Sequence, residues 1–147
     1  MTEKELSGLK PLIRIGELLE SYLEQLREDL RELESGMGVK SQQFKHGSKG
    51  KMGFDVSDLA VKIADLKKNI SKTEIIIIYN LSSIQLERAR LEIFIEDIKD
   101  PEISLIFRLK YINGMSWREI GDEMHMSYNT ARRKHKKYLQ KIVTNVT

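Results

Sequence analysis

Residues 100–142 read DPEISLIFRLKYINGMSWREIGDEMHMSYNTARRKHKKYLQKI, and this stretch decides the fold. Asp100-Pro101 predicts the start of a helix, because an aspartate caps the first turn and proline fits its first position. Asn113-Gly114 predicts the end of that helix, since both residues tolerate the left-handed backbone of a helix terminus. The apolar residues between these two signals predict one short helix.

Two more helices are predicted on the same stretch. Ser116 and Glu119 form a capping-box pattern, which predicts a helix of about eight residues that ends at Met124. After a short turn, Ser127 is the expected N-cap of a final helix that ends near Ile142. The inner face of this last helix is predicted to consist of Ala131, His135, Tyr138, Leu139 and Ile142. A short helix, a tight turn and a longer helix are typical of a helix-turn-helix, whose second helix lies in the major groove of DNA.

The charge of the final helix favours contact with nucleic acid. The whole chain has a net charge of only +3, yet residues 126–147 contain six basic side chains and no acidic one. These cations are Arg132, Arg133, Lys134, Lys136, Lys137 and Lys141. A block of cations on one helix is typical of a surface that meets phosphate. A solvated helix end favoured by the helix dipole is the alternative, but a dipole accounts for one or two cations and not for six.

Positions along the final helix predict a division of roles at a DNA interface. Base reading is expected from its N-terminal part, where Asn129 can pair with adenine, and Arg132 or Arg133 with guanine. The predicted base-reading residues are Ser127, Tyr128, Asn129, Arg132 and Arg133. Phosphate contacts set position and not sequence. They are predicted for Thr130, Lys134, Lys136, Lys137, Lys141 and Arg118.

The first hundred residues have the periodicity of long helices. Apolar residues recur at steps of three and four, which predicts an amphipathic helix with a coiled-coil-like seam. This seam consists of Leu9, Leu12, Ile15, Leu19, Tyr22, Leu26, Leu30 and Leu33. Gly36 and Gly38 are expected to end the helix, and residues 35–54 predict a flexible loop rich in glycine and lysine. The alternative to a solvated linker is a loop whose lysines contact DNA phosphate.

A second long helix is predicted from Asp55 or Ser57 to Lys99. Its seam consists of Leu59, Ile63, Leu66, Ile70, Thr73, Ile77, Leu81, Ile84, Leu91, Ile95 and Ile98. Residues 75–79 alone would favour a strand, but helical periodicity on both sides outweighs that preference. As a helix this segment is apolar all round and needs cover from more than one neighbour. We therefore expect self-association, with a dimer favoured.

Together these patterns predict an all-α chain with two parts. A long, coiled-coil-like helical hairpin is expected over residues 1–99, where it serves oligomerisation. A helix-turn-helix DNA-binding domain is expected over residues 100–147. The expected partners are double-stranded DNA and further copies of the chain.

Several other classes of function are disfavoured by what the sequence lacks. It contains no cysteine, which excludes disulfides and thiolate metal sites. The three histidines have no metal-ligand spacing, and no pair of acids suggests general acid–base chemistry, so we expect no metal, no cofactor and no enzyme. The longest wholly apolar run, residues 75–79, is far shorter than the roughly 20 residues that cross a bilayer. Residues 1–10 lack the apolar core of a signal peptide, so we expect no membrane partner and a cytoplasmic location.

Residues 100–142 resemble the C-terminal helix-turn-helix of small phage and mobile-element transcription regulators of the ArpU and RinA-like type. They are also similar, more distantly, to region four of bacterial sigma factors. The matching positions are 108–112, 114, 116–120, 127, 129–133 and 135–137. Gly121 and Ala131 depart from the pattern, in which alanine and valine are usual. The resemblance implies a phage-type activator of late genes in the cytoplasm of a bacterial host, with RNA polymerase as a further partner.

Two alternative functions stay open. A small-terminase-like packaging adaptor would bind DNA as a larger oligomer, and the number of subunits separates it from a dimeric regulator. A helical scaffold would use its basic helix to bind an acidic protein, and a DNA titration separates it from both other functions.

Overall fold

The structure, a computed structural model, describes residues 1–44 and 56–145, and of residues 37–44 the backbone alone. The described residues form helices joined by short connections, with no strand among them, so the all-α prediction is confirmed. In chain order the elements are α1 (Glu3–Leu6), α2 (Leu9–Phe44), α3 (Val56–Glu96), α4 (Pro101–Phe107), a π-helical turn π1 (Arg108–Ile112), α5 (Trp117–Met124) and α6 (Tyr128–Asn145).

The end of α2 differs from the prediction. Gly36 and Gly38 do not end the helix, which continues to Phe44. A glycine inside a helix costs only about 1 kcal/mol relative to alanine, and no proline follows to force a stop. The predicted loop over residues 35–54 is therefore wrong for residues 35–44. Its remaining part, residues 45–54, lies outside the described residues, as does the possible N-cap Asp55.

The chain divides into two compact units. The first consists of Met1–Ile15 and Asn80–Thr147, and the second of Gly16–Tyr79. The helices α2 and α3 each contribute to both units. The first unit thus adds residues 1–15 and 80–99 to the predicted domain over residues 100–147.

Within the second unit, α2 and α3 run in opposite directions. Arg27 pairs with Glu74 at 3.2 Å, and Lys67 pairs with Glu34 at 3.7 Å, so increasing numbers on one helix meet decreasing numbers on the other. Buried seam residues are Leu23, Leu26, Leu59 and Thr73. Tyr22, predicted on the seam, is 52% exposed, and its neighbour Leu23 is buried instead. Tyr22 and Leu23 follow Leu19 by three and four residues, so both fit the helical spacing. Only the packing between the helices decides which of the two is buried.

Residues 75–79 are helical, so the preference for helix over strand is confirmed. Ile77 is partly buried, whereas its four neighbours in this run are exposed. Their exposed fractions are 54% for Ile75, 50% for Ile76, 63% for Ile78 and 71% for Tyr79. This part of α3 therefore presents apolar side chains on several sides.

The first unit has a core in which the chain's beginning packs against its second half. The buried residues of this core are Leu6, Leu9, Leu91, Ile95, Ile98, Phe107 and Tyr111. Two seam predictions are wrong here, since Ile15 is 48% and Leu81 is 49% exposed. Asn80 is buried in place of Leu81 and donates from Nδ2 to the Leu12 carbonyl at 3.0 Å. Arg90 joins α3 to α1, because its guanidinium donates to the Glu5 carbonyl and to Glu87.

Candidate nucleic-acid interface

The helix that precedes the candidate interface begins as predicted. The Asp100 carboxylate accepts from the backbone N–H of Glu102 at 2.9 Å, and Pro101 occupies the first turn of α4. The helix then widens into π1, where the Asn113 N–H donates to the Arg108 carbonyl at 3.1 Å. Gly114 has the left-handed φ of 70° that its sequence context predicts. The π-helical turn was not predicted, because no residue type signals it.

The capping box of α5 is confirmed in both directions. The Glu119 N–H donates to the Ser116 hydroxyl at 3.2 Å, and the Ser116 N–H donates to the Glu119 carboxylate at 2.8 Å. The helix contains eight residues and ends at Met124. His125 then adopts a left-handed φ of 53°, which turns the chain sharply toward α6. This role of His125 was not predicted, since residues other than glycine seldom adopt that conformation.

Gly121 allows the turn after α5 to fold back closely onto the helix. A Cβ atom at this position would lie 2.7 Å from the Met126 carbonyl oxygen and 3.1 Å from the Tyr128 nitrogen. The Met126 N–H also donates to the Gly121 carbonyl at 2.9 Å. Glycine at position 121 therefore permits a close approach, and it is the turn and the start of α6 that approach.

The start of α6 is fixed by Ser127, as predicted. Its hydroxyl accepts from the Thr130 N–H at 3.2 Å, and its carbonyl accepts from the Ala131 N–H at 3.2 Å. The Thr130 hydroxyl lies 2.7 Å from the Ser127 hydroxyl, so it takes part in the cap. The helix runs to Asn145, a little beyond the predicted end at Ile142.

The inner face of α6 packs against the rest of the first unit at two places. Ala131 is fully buried with Ile106, Leu109 and Ile120. Tyr138 and Leu139 are partly buried and pack against the larger core of the unit. These contacts confirm the predicted orientation of the helix, and they hold its opposite face toward solvent.

His135 lies at the centre of an aromatic cluster on this inner face. It is 2% exposed, and its Nε2 atom hydrogen-bonds the Tyr111 hydroxyl. Its ring centroid lies 4.8 Å from that of Phe107 and 4.9 Å from that of Trp117. Burial lowers the pKa of His135 to about 4 and raises the pKa of Tyr111 well above its usual value. At neutral pH His135 is therefore uncharged and can accept the tyrosine hydrogen.

Most of the predicted contact residues lie on the exposed side of α6. Those exposed on or immediately before the helix are Ser127, Tyr128, Asn129, Arg132, Arg133, Lys136, Lys137 and Lys141. Lys134 differs, because it is partly buried and its ammonium pairs with Glu102 of α4. Among the described residues, no other cation of α6 pairs with a carboxylate. Arg118 of α5 is also exposed, and its guanidinium carbon lies 6.0 Å from the Tyr128 ring centroid.

One cation near α6 was not singled out from the sequence. Lys110 of π1 is partly buried, and its Nζ atom lies 4.9 Å from the Trp117 ring centroid. Burial, followed by repulsion from Lys10, lowers its pKa below the ordinary value. In the sequence Lys110 has the appearance of a surface residue of a short helix, and only the fold brings it to Trp117.

Residues 1–44 and 56–145 contain neither a candidate metal site nor a candidate membrane-spanning helix. No group of three histidine, aspartate or glutamate side chains there could hold a metal ion. None of the helices in those ranges combines the length and the apolar character that crossing a membrane requires.

Comparison with known proteins gives no relative. No family model matches the chain, and no curated protein and no solved structure is significantly similar to it.

Proposed function

We propose that this protein binds double-stranded DNA through a helix-turn-helix formed by α5 and α6, with α6 in the major groove. The observation that carries the proposal is the exposed face of α6. Five of its six cations have no carboxylate partner among the described residues, and its other face is buried. Cations without carboxylate partners on a firmly docked helix can bind a polyanion such as DNA. No ion pair within the protein has to break before they contact phosphate.

The connection between α5 and α6 also supports this assignment. The short helix, the left-handed residue His125 and the cap at Ser127 form a turn of the length that helix-turn-helix proteins use. Gly121 lets the turn pack closely on α5, which fixes the angle between the two helices. Base recognition needs such rigidity, since side chains must reach base edges within hydrogen-bond distance.

Within this proposal the N-terminal part of α6 reads sequence. Asn129 is exposed and can form two hydrogen bonds with adenine, and Arg133 can form two with guanine. Lys137 and Lys141 lie farther along the exposed helix and suit phosphates. Thr130 and Lys134 are weaker candidates than the sequence predicts, because the cap and Glu102 already engage them.

We further propose that the chain is a phage-type transcription regulator, most simply an activator of late genes in a bacterial cytoplasm, with RNA polymerase as a partner. The resemblance of residues 100–142 to such regulators supports this narrower function. A helical hairpin of α2 and α3 would then bring two DNA-binding domains together. The exposed residues Ile75 and Ile76 support self-association, because a second chain would remove their apolar surface from water.

A packaging adaptor of the small-terminase type is the second candidate function. The same exposed isoleucines favour it, since a ring also covers an apolar face on each subunit. Light scattering separates the two candidates, because a dimer supports the regulator and eight or more subunits support the adaptor.

Selection of bound fragments from random DNA, followed by gel-shift titration of the selected duplex, tests the proposal. We expect enrichment of one short motif and tighter binding to it than to an unrelated duplex of equal length. Lys72→Ala is the matched control variant, because it removes an exposed cation from the second unit and should leave affinity unchanged. Absence of DNA binding at moderate salt would refute the proposal and leave the scaffold function.

A further inference from the structure

Helix α3 has a second row of apolar and small residues on the side opposite its buried residues. Thr73 and Leu91 are buried on one side of the helix. On the opposite side, exposed residues recur at alternating steps of four and three, and they are Ile75, Tyr79, Ser82, Leu86, Ala89 and Ile93. The exposed fractions of Tyr79, Leu86 and Ile93 are 71%, 73% and 70%. Alternating steps of four and three are the spacing with which helices pack as a coiled coil.

Opposite charges lie at the two ends of this outer row. When the same steps are continued along α3, Lys72 and Lys68 precede Ile75, and Glu96 follows Ile93. These three charged side chains are exposed. A second copy of the helix in the parallel direction would place lysine beside lysine at one end and glutamate beside glutamate at the other. An antiparallel copy would place lysine beside glutamate at both ends, so charge favours the antiparallel direction.

We infer that two chains pair through the outer row of α3, with the two helices antiparallel. The inference rests on the self-association in the proposed function and deepens it, since it names the contact surface and the direction of the helices. The register is the one in which Lys72 lies opposite Glu96 of the partner chain. Such a contact is twofold symmetric, because Glu96 then also lies opposite Lys72 of the partner chain.

Side-chain sizes match in this same register. The layers of the contact are Ile75 with Ile93, Tyr79 with Ala89, and Ser82 with Leu86 of the partner chain. Tyr79 thus meets an alanine and Leu86 meets a serine, so that a large side chain packs on a small one in both of these layers. A parallel pair would instead stack Tyr79 on Tyr79 and Ser82 on Ser82, which makes one layer crowded and the other empty. Size and charge therefore select the same arrangement.

Residues beside the outer row also fit this register. The exposed Ile76 lies next to Arg90 of the partner chain, whose aliphatic stem can cover an apolar side chain. Ser83 and Gln85 each lie next to their own copy across the twofold axis, and both can donate and accept hydrogen bonds. None of these flanking pairs brings like charges together.

Sedimentation equilibrium of the full chain tests whether the outer row is the contact. Leu86→Glu should raise the dissociation constant of the dimer by about 100-fold or more, since the dimer contains this leucine twice and each buried leucine contributes about tenfold or more. Leu18→Glu is the matched control, because Leu18 is an exposed leucine of α2, outside the row. The control should keep the wild-type dissociation constant. Equal effects of the two variants would overturn the inference.

Exchange of the end charges tests the direction of the helices. Lys72→Glu and Glu96→Lys should each weaken the dimer by about tenfold, because each places like charges together at both ends. The double variant should restore the wild-type dissociation constant. In a parallel pair Lys72→Glu would only replace one repulsion by another, so failure of this rescue would overturn the antiparallel direction. Lys72→Ala should weaken the dimer by about threefold or less, since an exposed ion pair contributes little, and should therefore stay dimeric.

Introduced cysteines test the register, since the chain contains no cysteine of its own. A variant with both Ile75→Cys and Ile93→Cys should form disulfides between two chains on oxidation, because the register brings these positions together. Neither single variant should crosslink, since each position lies about 27 Å along the helix axis from its own copy. Crosslinking of a single variant would refute the proposed arrangement.

The outcomes separate this inference from the proposed function, since gel shift measures DNA binding independently. If wild type is monomeric, self-association fails and this inference fails with it. A dimer that Leu86→Glu leaves intact would overturn the inference and keep self-association. Eight or more subunits would also overturn it, because a twofold contact closes at two chains. If the chain pairs through the outer row but binds no DNA, the inference stands and the proposed DNA binding fails.

Discussion

Replacing Gly121 by alanine tests the close packing between α5 and the start of α6. The added Cβ would lie 2.7 Å from the Met126 carbonyl oxygen, whereas ordinary van der Waals contacts begin at 3.4 Å. The turn must therefore retreat by about 0.7 Å, the difference between those distances. It cannot do so without cost, because the Met126 N–H is hydrogen-bonded to the carbonyl of residue 121 itself.

Two opposing effects set the size of the expected change. Overpacking of this kind destabilises a protein by about 1–3 kcal/mol. Alanine is more favourable than glycine inside a helix by about 1 kcal/mol, which offsets part of that cost. We expect Gly121→Ala to lower the free energy of unfolding by about 1 kcal/mol.

Gly36→Ala is the matched control. Gly36 also lies inside a helix, but a Cβ there would meet no atom within 4 Å. This variant should raise the stability of its helix by up to about 1 kcal/mol, since only the helix preference acts. The difference between the two variants isolates the steric effect at the turn.

Denaturant unfolding provides the measurement. The fluorescence emission of Trp117 reports unfolding of the first unit, which also contains Gly121. Far-UV circular dichroism reports loss of helix in the whole chain. If Gly121→Ala stabilises the protein as much as Gly36→Ala does, the close approach at Gly121 is not required and the reasoning fails. A second consequence follows from the Tyr128 nitrogen, 3.1 Å from the added Cβ. Displacement of this first residue of α6 should weaken binding to the selected DNA.

The remaining predictions concern recognition, acid stability and assembly. Arg133→Ala should cost about 1–3 kcal/mol at the selected site and relax sequence choice, whereas Lys137→Ala should weaken all duplexes equally, both by gel shift. With five or six phosphate contacts, log affinity should fall with log salt at a slope of about −5, and a flat dependence would contradict phosphate binding. The folded pKa of His135, about 4, lies below the unfolded 6.5, so its stabilisation is present above pH 6.5 and is lost as pH falls toward 4. Between pH 7 and pH 4 the free energy of unfolding should fall by about 3 kcal/mol, and this decrease should be smaller in His135→Gln. An equal decrease in the variant would show that His135 is not its cause. Light scattering should give about twice the 17.1 kDa chain mass, and Ile76→Glu should shift it toward one chain, whereas a monomeric wild type would rule out self-association.

Local signals in the sequence predicted the helix boundaries around the candidate site. The caps at Asp100, Ser116 and Ser127 were predictable because each depends on one side chain and on N–H groups two or three residues away. Gly114 was predictable for the same reason, since its conformation is set within the turn. The inner face of α6 followed from periodicity alone, because a helix that docks on a core must bury one side.

Features that depend on distant contacts were not predictable in the same way. Leu23 and Asn80 occupy seam positions predicted for Tyr22 and Leu81, because the packing between α2 and α3 selects among residues that all fit the helical spacing. The continuation of α2 past Gly36 was missed because glycine is unfavourable in a helix without being a barrier to it. Lys110 could not be assigned to the candidate site, since only the fold brings it to Trp117.

The neutral inner face and the cationic outer face of α6 depend on each other. Nearby cations repel further positive charge, so Lys110 of π1 and Arg132 of α6 would oppose a protonated His135, whereas Glu3 would favour it. Burial among Phe107, Tyr111 and Trp117 keeps His135 uncharged, and its neutral ring shares a hydrogen bond with the Tyr111 hydroxyl. The core thus supplies docking that needs no ion pair with the exposed cations. Under the proposed function this arrangement leaves their charge available for the phosphates of DNA, and acid that protonates His135 would weaken docking and DNA binding together.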